Sequence, residues 1–189
     1  MSDTDNPSRL IAIDVESTGT RPTVDRIIEM AVVGWRGVPM NWKVDPEHPI
    51  SISASVIHGC TDANMVGRTT FKSFAHEIVG SLRMWNPIIV GYNILHFDIP
   101  MIERELRRAG VSFTFPTDRV VDLYQLYGPR SLRYVVKNIL NEESEKTHHA
   151  STDAAWCLRL LQHYVLSDIG PEFRANRPSI VDELTKIFG

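Results

Sequence analysis

A chain of 189 residues suits one domain with a sizeable core. Its 43% hydrophobic and 23% charged residues are those of a soluble globular protein, and no apolar run approaches the roughly 18 residues of a membrane span. The net charge of −3 neither supports nor excludes nucleic acid: acids acting as metal ligands would leave the rest of the chain near neutral, so the local distribution has to decide.

The two cysteines, Cys60 and Cys157, stand far apart and in no C-x-x-C pattern. That argues against a disulfide framework or a zinc site and fits a reducing compartment. With the polar, acidic start Met1–Pro7, which has no apolar signal core, a cytoplasmic location is expected.

Residues 1–9 read as a disordered lead-in. Leu10-Ile11-Ala12-Ile13-Asp14-Val15-Glu16 is an apolar run that forms a strand and breaks at Thr18-Gly19. Ile27 to Trp35 is a second, largely buried strand, and Met40 to Val44 a third, joined to it by a hairpin around Gly37-Val38-Pro39. A short helix over Ala54–His58 ends at Gly59. Phe71, Phe74, Ala75, Ile78, Val79 and Leu82 fall on one face of a helix over Phe71 to Arg83. A strand over Pro87–Tyr92, a helix from Asp98 to Ala109 stopped by Gly110, and a short strand Val120–Leu123 follow. Helices over Ser131–Leu140 and Ala150–Leu166 complete a domain spanning 10–169. Three strands in a row, then strands alternating with helices, indicate an α/β fold with a mixed central sheet flanked by helices. The tail, 170–189, carries Ile180, Val181, Leu184, Ile187 and Phe188 at helical spacing. It is either a helix closing the core or a docking peptide for a partner.

Successive side chains on a strand face opposite ways, so Asp14 and Glu16 project from one face. Adjacent carboxylates repel, and a divalent cation would relieve that. Asp98 follows a strand and loop, Gly91 to Phe97; it is either a helix N-cap or a site acid beside Tyr92, Asn93 and Phe97. Asp153 sits among Ala150, Ala154 and Ala155, small residues that let a helix approach a sheet. An acid on that close-packed side needs a cation or hydrogen bonds; a solvent-facing acid in the first turn is the alternative.

These segments resemble the three motifs of the DnaQ-like (DEDDh) 3′–5′ exonuclease family. The first is Ile13-Asp14-Val15-Glu16-Ser17-Thr18-Gly19, followed by Asp25-Arg26-Ile27-Ile28-Glu29; the second is Val90-Gly91-Tyr92-Asn93-Ile94-Leu95-His96-Phe97-Asp98; the third is His148-His149-Ala150-Ser151-Thr152-Asp153-Ala154. Ser55–Gly59 and Val120–Leu123 resemble landmarks between them, and the resemblance covers residues 10 to 166. Among family members it is similar to the proofreading exonuclease, the epsilon subunit, of bacterial DNA polymerase III.

The resemblance implies a ribonuclease H-like fold in which Asp14, Glu16, Asp98 and Asp153 hold two metal ions and His148 is the general base, with His149 as the fallback. Hard carboxylate ligands select Mg²⁺ or Mn²⁺. The implied activity is 3′–5′ hydrolysis of single-stranded or frayed DNA ends to nucleoside 5′-monophosphates, RNA being the alternative substrate. The resemblance puts Ser17 and Thr18 near the terminal sugar. Tyr92, Asn93, Phe97 and His58 are candidates for meeting the last bases, core packing being the alternative for the three rings. Arg104, Arg107 and Arg108, or Arg130, Arg133 and Lys137, are candidates for the strand's phosphates, or else solvated helix faces. A polymerase or replication partner would dock through the tail.

Overall fold

The computed structural model describes residues 9–35, 37–143, 149–167 and 170–189. The apolar opening run is β1 (Leu10–Ser17), the middle of a five-stranded sheet in the order β3-β2-β1-β4-β5. β2 (Ile27–Gly34) pairs antiparallel with β1, and β3 (Met40–Lys43) antiparallel with β2. On the other side β4 (Ile88–Gly91) and β5 (Val120–Asp122) run parallel to β1. The sheet is mixed, and β1, β4 and β5 all end at one edge, where the segments following them gather.

Alternation along β1 divides two cores. Ile11, Ile13 and Val15 join the core built with α3 (Ala75–Trp85) and α4 (Asp98–Arg108). Leu10 and Ala12 face the core built with α7 (Ala150–Ser167) and α9 (Pro178–Phe188). By the same period of two, Asp14 and Glu16 lie on the α7 side.

One β2 residue breaks the register. Glu16 lies opposite Glu29 and Ser17 opposite Ile27, so Ile28 is an extra residue, a β-bulge beside the acids. Its side chain turns into a third, small core with Ile50, Ala54, Cys60 and Met65, under α1 (Ile52–His58) and α2 (Asp62–Met65).

Three boundaries differ from the sequence reading. A 3₁₀ turn, Phe71–Ser73, precedes α3, which runs on to Asn86 in a left-handed conformation (φ 42°). Leu123 opens α5 (Leu123–Tyr127) instead of ending a strand, because the Asp122 carboxylate accepts the Tyr124 N–H at 3.0 Å and caps the turn. The helix expected over Ser131–Leu140 is α6 (Leu132–Val135) followed by a π turn, Val136–Leu140.

The tail forms α8 (Pro171–Asn176) and α9. Ile180, Leu184, Ile187 and Phe188 enter the α7-side core, and the Phe188 ring meets Trp35 edge-on at 4.7 Å. Glu183 accepts from Arg9 at 3.1 Å and Arg119 at 3.2 Å, and the Arg177 guanidinium donates to the Val120 carbonyl. The apolar residues that motivated a docking peptide are thus packed on this chain's own core. Leu184→Ala should cost about 2–5 kcal/mol, as truncation of a buried leucine does. Urea denaturation measures it, and a loss below about 1 kcal/mol would separate the tail from the core.

Candidate active site

β1 outruns its parallel neighbour: its pairing with β4 ends at Ala12–Val90. The Val15 N–H, beyond the end of that pairing, is taken by a side chain, donating to Asp98 Oδ1 at 3.0 Å. Asp98 is the first residue of α4; Phe97 occupies the N-cap position and makes no side-chain capping bond. The N-cap alternative for Asp98 is therefore corrected: Phe97 holds that position, and the Asp98 carboxylate reaches across to the end of β1.

α7 brings the fourth acid, Asp153. Ala150, Ala154 and Cys157 are fully buried, so the helix lies close on the sheet and carries Asp153 in with them, 6% exposed. The His149 carbonyl accepts the N–H groups of Thr152 and Asp153, at 2.9 and 3.0 Å, so α7 starts from His149. His148 lies outside the described residues. Among the described residues, oxygens of Asp14, Glu16 and Asp153 lie within 4.8 Å of one another, a group able to hold a metal ion. Asp98 stands at its flank, held by β1.

The electrostatics follow from this crowding. Burial, then repulsion from Asp98, Asp153, Glu16 and Glu29 in that order, holds the Asp14 carboxyl well above the usual range. Asp98 is pushed up to about 8, chiefly by burial; hydrogen bonds from the N–H groups of Val15 and of Asp98 itself pull against that, and Asp122 and Asp153 add repulsion. Without a metal, Asp14 and Asp98 therefore favour their protonated forms.

Two further acids shape the site and were not singled out from sequence. Glu29, directly across from Glu16, is 1% exposed; it accepts from the Asn41 amide at 2.7 Å and lies 3.5 Å from the Lys43 ammonium. Asp122, at the end of β5, accepts the N–H groups of Asn93 at 2.8 Å, Leu95 at 3.3 Å and Tyr124 at 3.0 Å. It thereby fixes the loop leading to Asp98. The signals for them were their places after apolar runs, in Ile27-Ile28-Glu29 and Val120-Val121-Asp122.

The remaining expected residues divide into buried framework and partly exposed rim. Thr18 is buried: its N–H donates to Arg26 O at 2.9 Å, its carbonyl accepts from the Ser51 N–H at 2.9 Å, and its hydroxyl accepts the Arg26 N–H at 3.0 Å. The Ser17 hydroxyl donates to Gly19 O at 2.6 Å. His58 is buried as well; the Cys60 N–H donates to Nδ1 at 3.1 Å, leaving the Nε2–H to donate to the Ser17 carbonyl at 3.2 Å. His58 thus braces the end of β1 and is not an open stacking face. A Cβ at Gly19 would meet the Asp25 carboxylate at 2.7 Å and force it away from the Arg21 N–H that it accepts.

On the rim, Asn93 adopts a left-handed conformation (φ 58°) and Tyr92 donates its hydroxyl to Arg130 O at 2.7 Å. Phe97 packs partly into the α3–α4 core. Arg104 donates to Pro22 O at 3.0 Å and Arg108 to Glu105 at 2.8 Å, so both are engaged within the fold.

The family model described as Exonuclease, RNase_T, matches residues 11–161. The chain belongs to this family. The match includes Asp14, Glu16, Asp98 and Asp153 and ends within α7, leaving α8 and α9 outside it. This is the DnaQ-like exonuclease family of the three motifs, and the mixed sheet flanked by helices is its ribonuclease H-like fold. No curated protein matches the chain by sequence. Among solved structures, E. coli exonuclease I in complex with a dT13 oligonucleotide is similar at a TM-score of 0.70 and 18% identity, over 92% of this chain and 42% of that one. The zinc-ion-bound form of the E. coli exonuclease I–ssDNA complex is similar at a TM-score of 0.71 and 19% identity, over the same 92% and 42%. The Neurospora crassa Pan2 catalytic unit, with protease and nuclease domains, is similar at a TM-score of 0.65 and 19% identity, over 100% of this chain and 31% of that one. The chain spans less than half the length of each of these proteins.

Proposed function

We propose that the chain is a metal-dependent 3′–5′ exonuclease that releases nucleoside 5′-monophosphates from single-stranded or frayed DNA ends. The observation that carries this reading is the convergence of the Asp14, Glu16 and Asp153 oxygens within 4.8 Å, with Asp98 at their flank, in a chain of the exonuclease family. The donor set fits hard divalent cations, Mg²⁺ or Mn²⁺: it is all carboxylate, and the burial and mutual repulsion that raise the Asp14 proton affinity are what a bound cation would offset. Asp14, Glu16, Asp98 and Asp153 would hold two ions. When bound, such ions supply a nucleophilic water near neutral pH and offset charge on the departing 3′ oxygen.

The chain's own groups do the rest. His148 accepts the proton of the attacking water, for which an imidazole that titrates near neutrality is suited. Asp98 keeps β1 in place through the Val15 N–H while facing the other acids. Ser17 and Thr18, tied to His58, Arg26 and Ser51, form a rigid floor beside the terminal nucleotide. Tyr92, Asn93 and Phe97 lie along the loop from β4 to Asp98, which Asp122 holds through the Asn93 N–H, and frame the base side.

Oligonucleotides labelled at the 5′ end should shorten one nucleotide at a time with Mg²⁺ or Mn²⁺ and stay intact with chelator. Equal digestion in both conditions would sink the metal mechanism, and shortening of a 3′-labelled strand from its 5′ end would sink the polarity. Matched DNA and RNA substrates decide the sugar, because recognition of the 2′-OH separates the two. His148→Ala should lower the rate by about 10²–10⁴ while calorimetric metal binding is retained.

A further inference from the structure

Beyond the acids, the same sheet edge carries a row of rings and cations. Tyr92, just past β4, meets the Tyr124 ring edge-on at 5.8 Å and donates its hydroxyl to the Arg130 carbonyl. The Arg130 guanidinium in turn lies over the Tyr134 ring, 5.3 Å from its centroid. Lys137 follows Tyr134 by three residues on the exposed stripe of α6 and its π turn. Tyr124 is 36% and Tyr134 50% exposed, high for large rings that pack against neighbours on one side only. The row is anchored to the acidic site by Asp122, which caps α5 ahead of Tyr124 and also holds Asn93 and Leu95.

We propose that Tyr124, Arg130, Tyr134 and Lys137 form a track for the single-stranded nucleic acid upstream of the terminal nucleotide. This rests on the exonuclease reading, since it supplies the strand whose 3′ end lies among the acids. Exposed rings offer stacking faces to any base, and cations between them meet successive phosphates. Among the described residues, two further acids lie near this row. Glu142 is bound to Arg159; Glu143 lies 3.5 Å from Lys137, with both groups well exposed, a contact that a phosphate can displace. The Arg130 carbonyl, not its side chain, holds Tyr92, so the guanidinium is released for a phosphate without loosening the loop.

The test is fluorescence anisotropy of 5′-labelled dT3 and dT12 (and rU3 and rU12) in chelator, where no hydrolysis intervenes. Wild type should bind the 12-mer more tightly than the 3-mer. Tyr134→Ala should weaken the 12-mer about tenfold, in the range of loss of one base–aromatic stack, and barely change the 3-mer. Tyr134→Phe should restore binding. Arg130→Ala should also weaken the 12-mer and flatten its salt dependence, lowering the log–log slope by about 0.7, whereas Tyr134→Ala leaves the slope alone. Unchanged 12-mer binding in both variants, or equal loss for both lengths, overturns the track. A second assay, release of p-nitrophenol from the p-nitrophenyl ester of thymidine 5′-phosphate with Mn²⁺, separates the two readings. Turnover equal to wild type in both variants supports the track, while length-dependent binding with no turnover of the ester or of any oligonucleotide sinks the exonuclease reading and leaves the track standing.

Discussion

Replacing Asp14 with Asn is expected to remove metal-dependent hydrolysis and, at the same time, to make the metal-free protein more stable. The loss of rate should exceed about 10⁴, the upper end of what removal of a general base costs, because an amide is a poor ligand for a hard cation and every acid of the cluster works around Asp14. The gain follows from the same crowding. Asp14 is desolvated and faces Asp98, Asp153, Glu16 and Glu29, so its ionised form is disfavoured in the folded chain. Asparagine keeps the shape and removes the charge. About 1 kcal/mol of added stability would appear as a rise in Tm of roughly 2–4 °C for a chain of this size. Differential scanning fluorimetry in chelator reads it directly. Adding Mn²⁺ should raise the Tm of wild type and leave that of the variant nearly unchanged. A variant that melts lower in chelator than wild type would mean that Asp14 is a structural acid, satisfied within the fold.

The period-two rule was enough to put Asp14 and Glu16 on one side of β1, because a strand allows little else. The small residues around Asp153 leave it either against the sheet or facing solvent in the first turn, and the burial of Ala150, Ala154 and Cys157 decides for the sheet. Other features depend on contacts distant in sequence. That Asp98 caps the end of β1 follows from β4 being shorter than β1, and strand length is the least legible property of an apolar run. The Ile28 bulge is a single residue near the start of β2, with no glycine or proline beside it to mark it. The resemblance puts the backbone around Ser17 and Thr18 near the terminal sugar and leaves His58 between base stacking and core packing; in the fold the Thr18 and His58 side chains satisfy backbone groups that the sequence does not pair. Glu29 and Asp122 look like strand-end acids in sequence, and only the fold gives them Asn41 and Lys43, or three N–H groups, to answer to.

The second large effect concerns pH. The metal-free protein should lose stability as pH rises from about 4 to about 8, and more steeply in wild type than in Asp98→Asn. An unfolded aspartate titrates near 3.9. In the folded chain Asp98 is pushed up to about 8. Between those values the native state binds more protons than the unfolded state, so the slope of unfolding free energy against pH is negative. Below about 4 both states are protonated and Asp98 carries no penalty; by about pH 8 the penalty is complete. One proton contributes at most about 1.4 kcal/mol per pH unit, and Asp14, raised for the same reason, steepens the curve further. Asparagine at 98 keeps an oxygen for the Val15 N–H and removes the titration, so the difference between the two curves isolates this one group. Urea unfolding in chelator from pH 4.5 to 8.5 gives both curves, and parallel curves would refute the assignment. A divalent ion competes with those protons, so its apparent affinity should climb over the same interval. Calorimetry in two buffers of different ionisation enthalpy would then register proton release on binding, near neutral pH, that shrinks in Asp98→Asn.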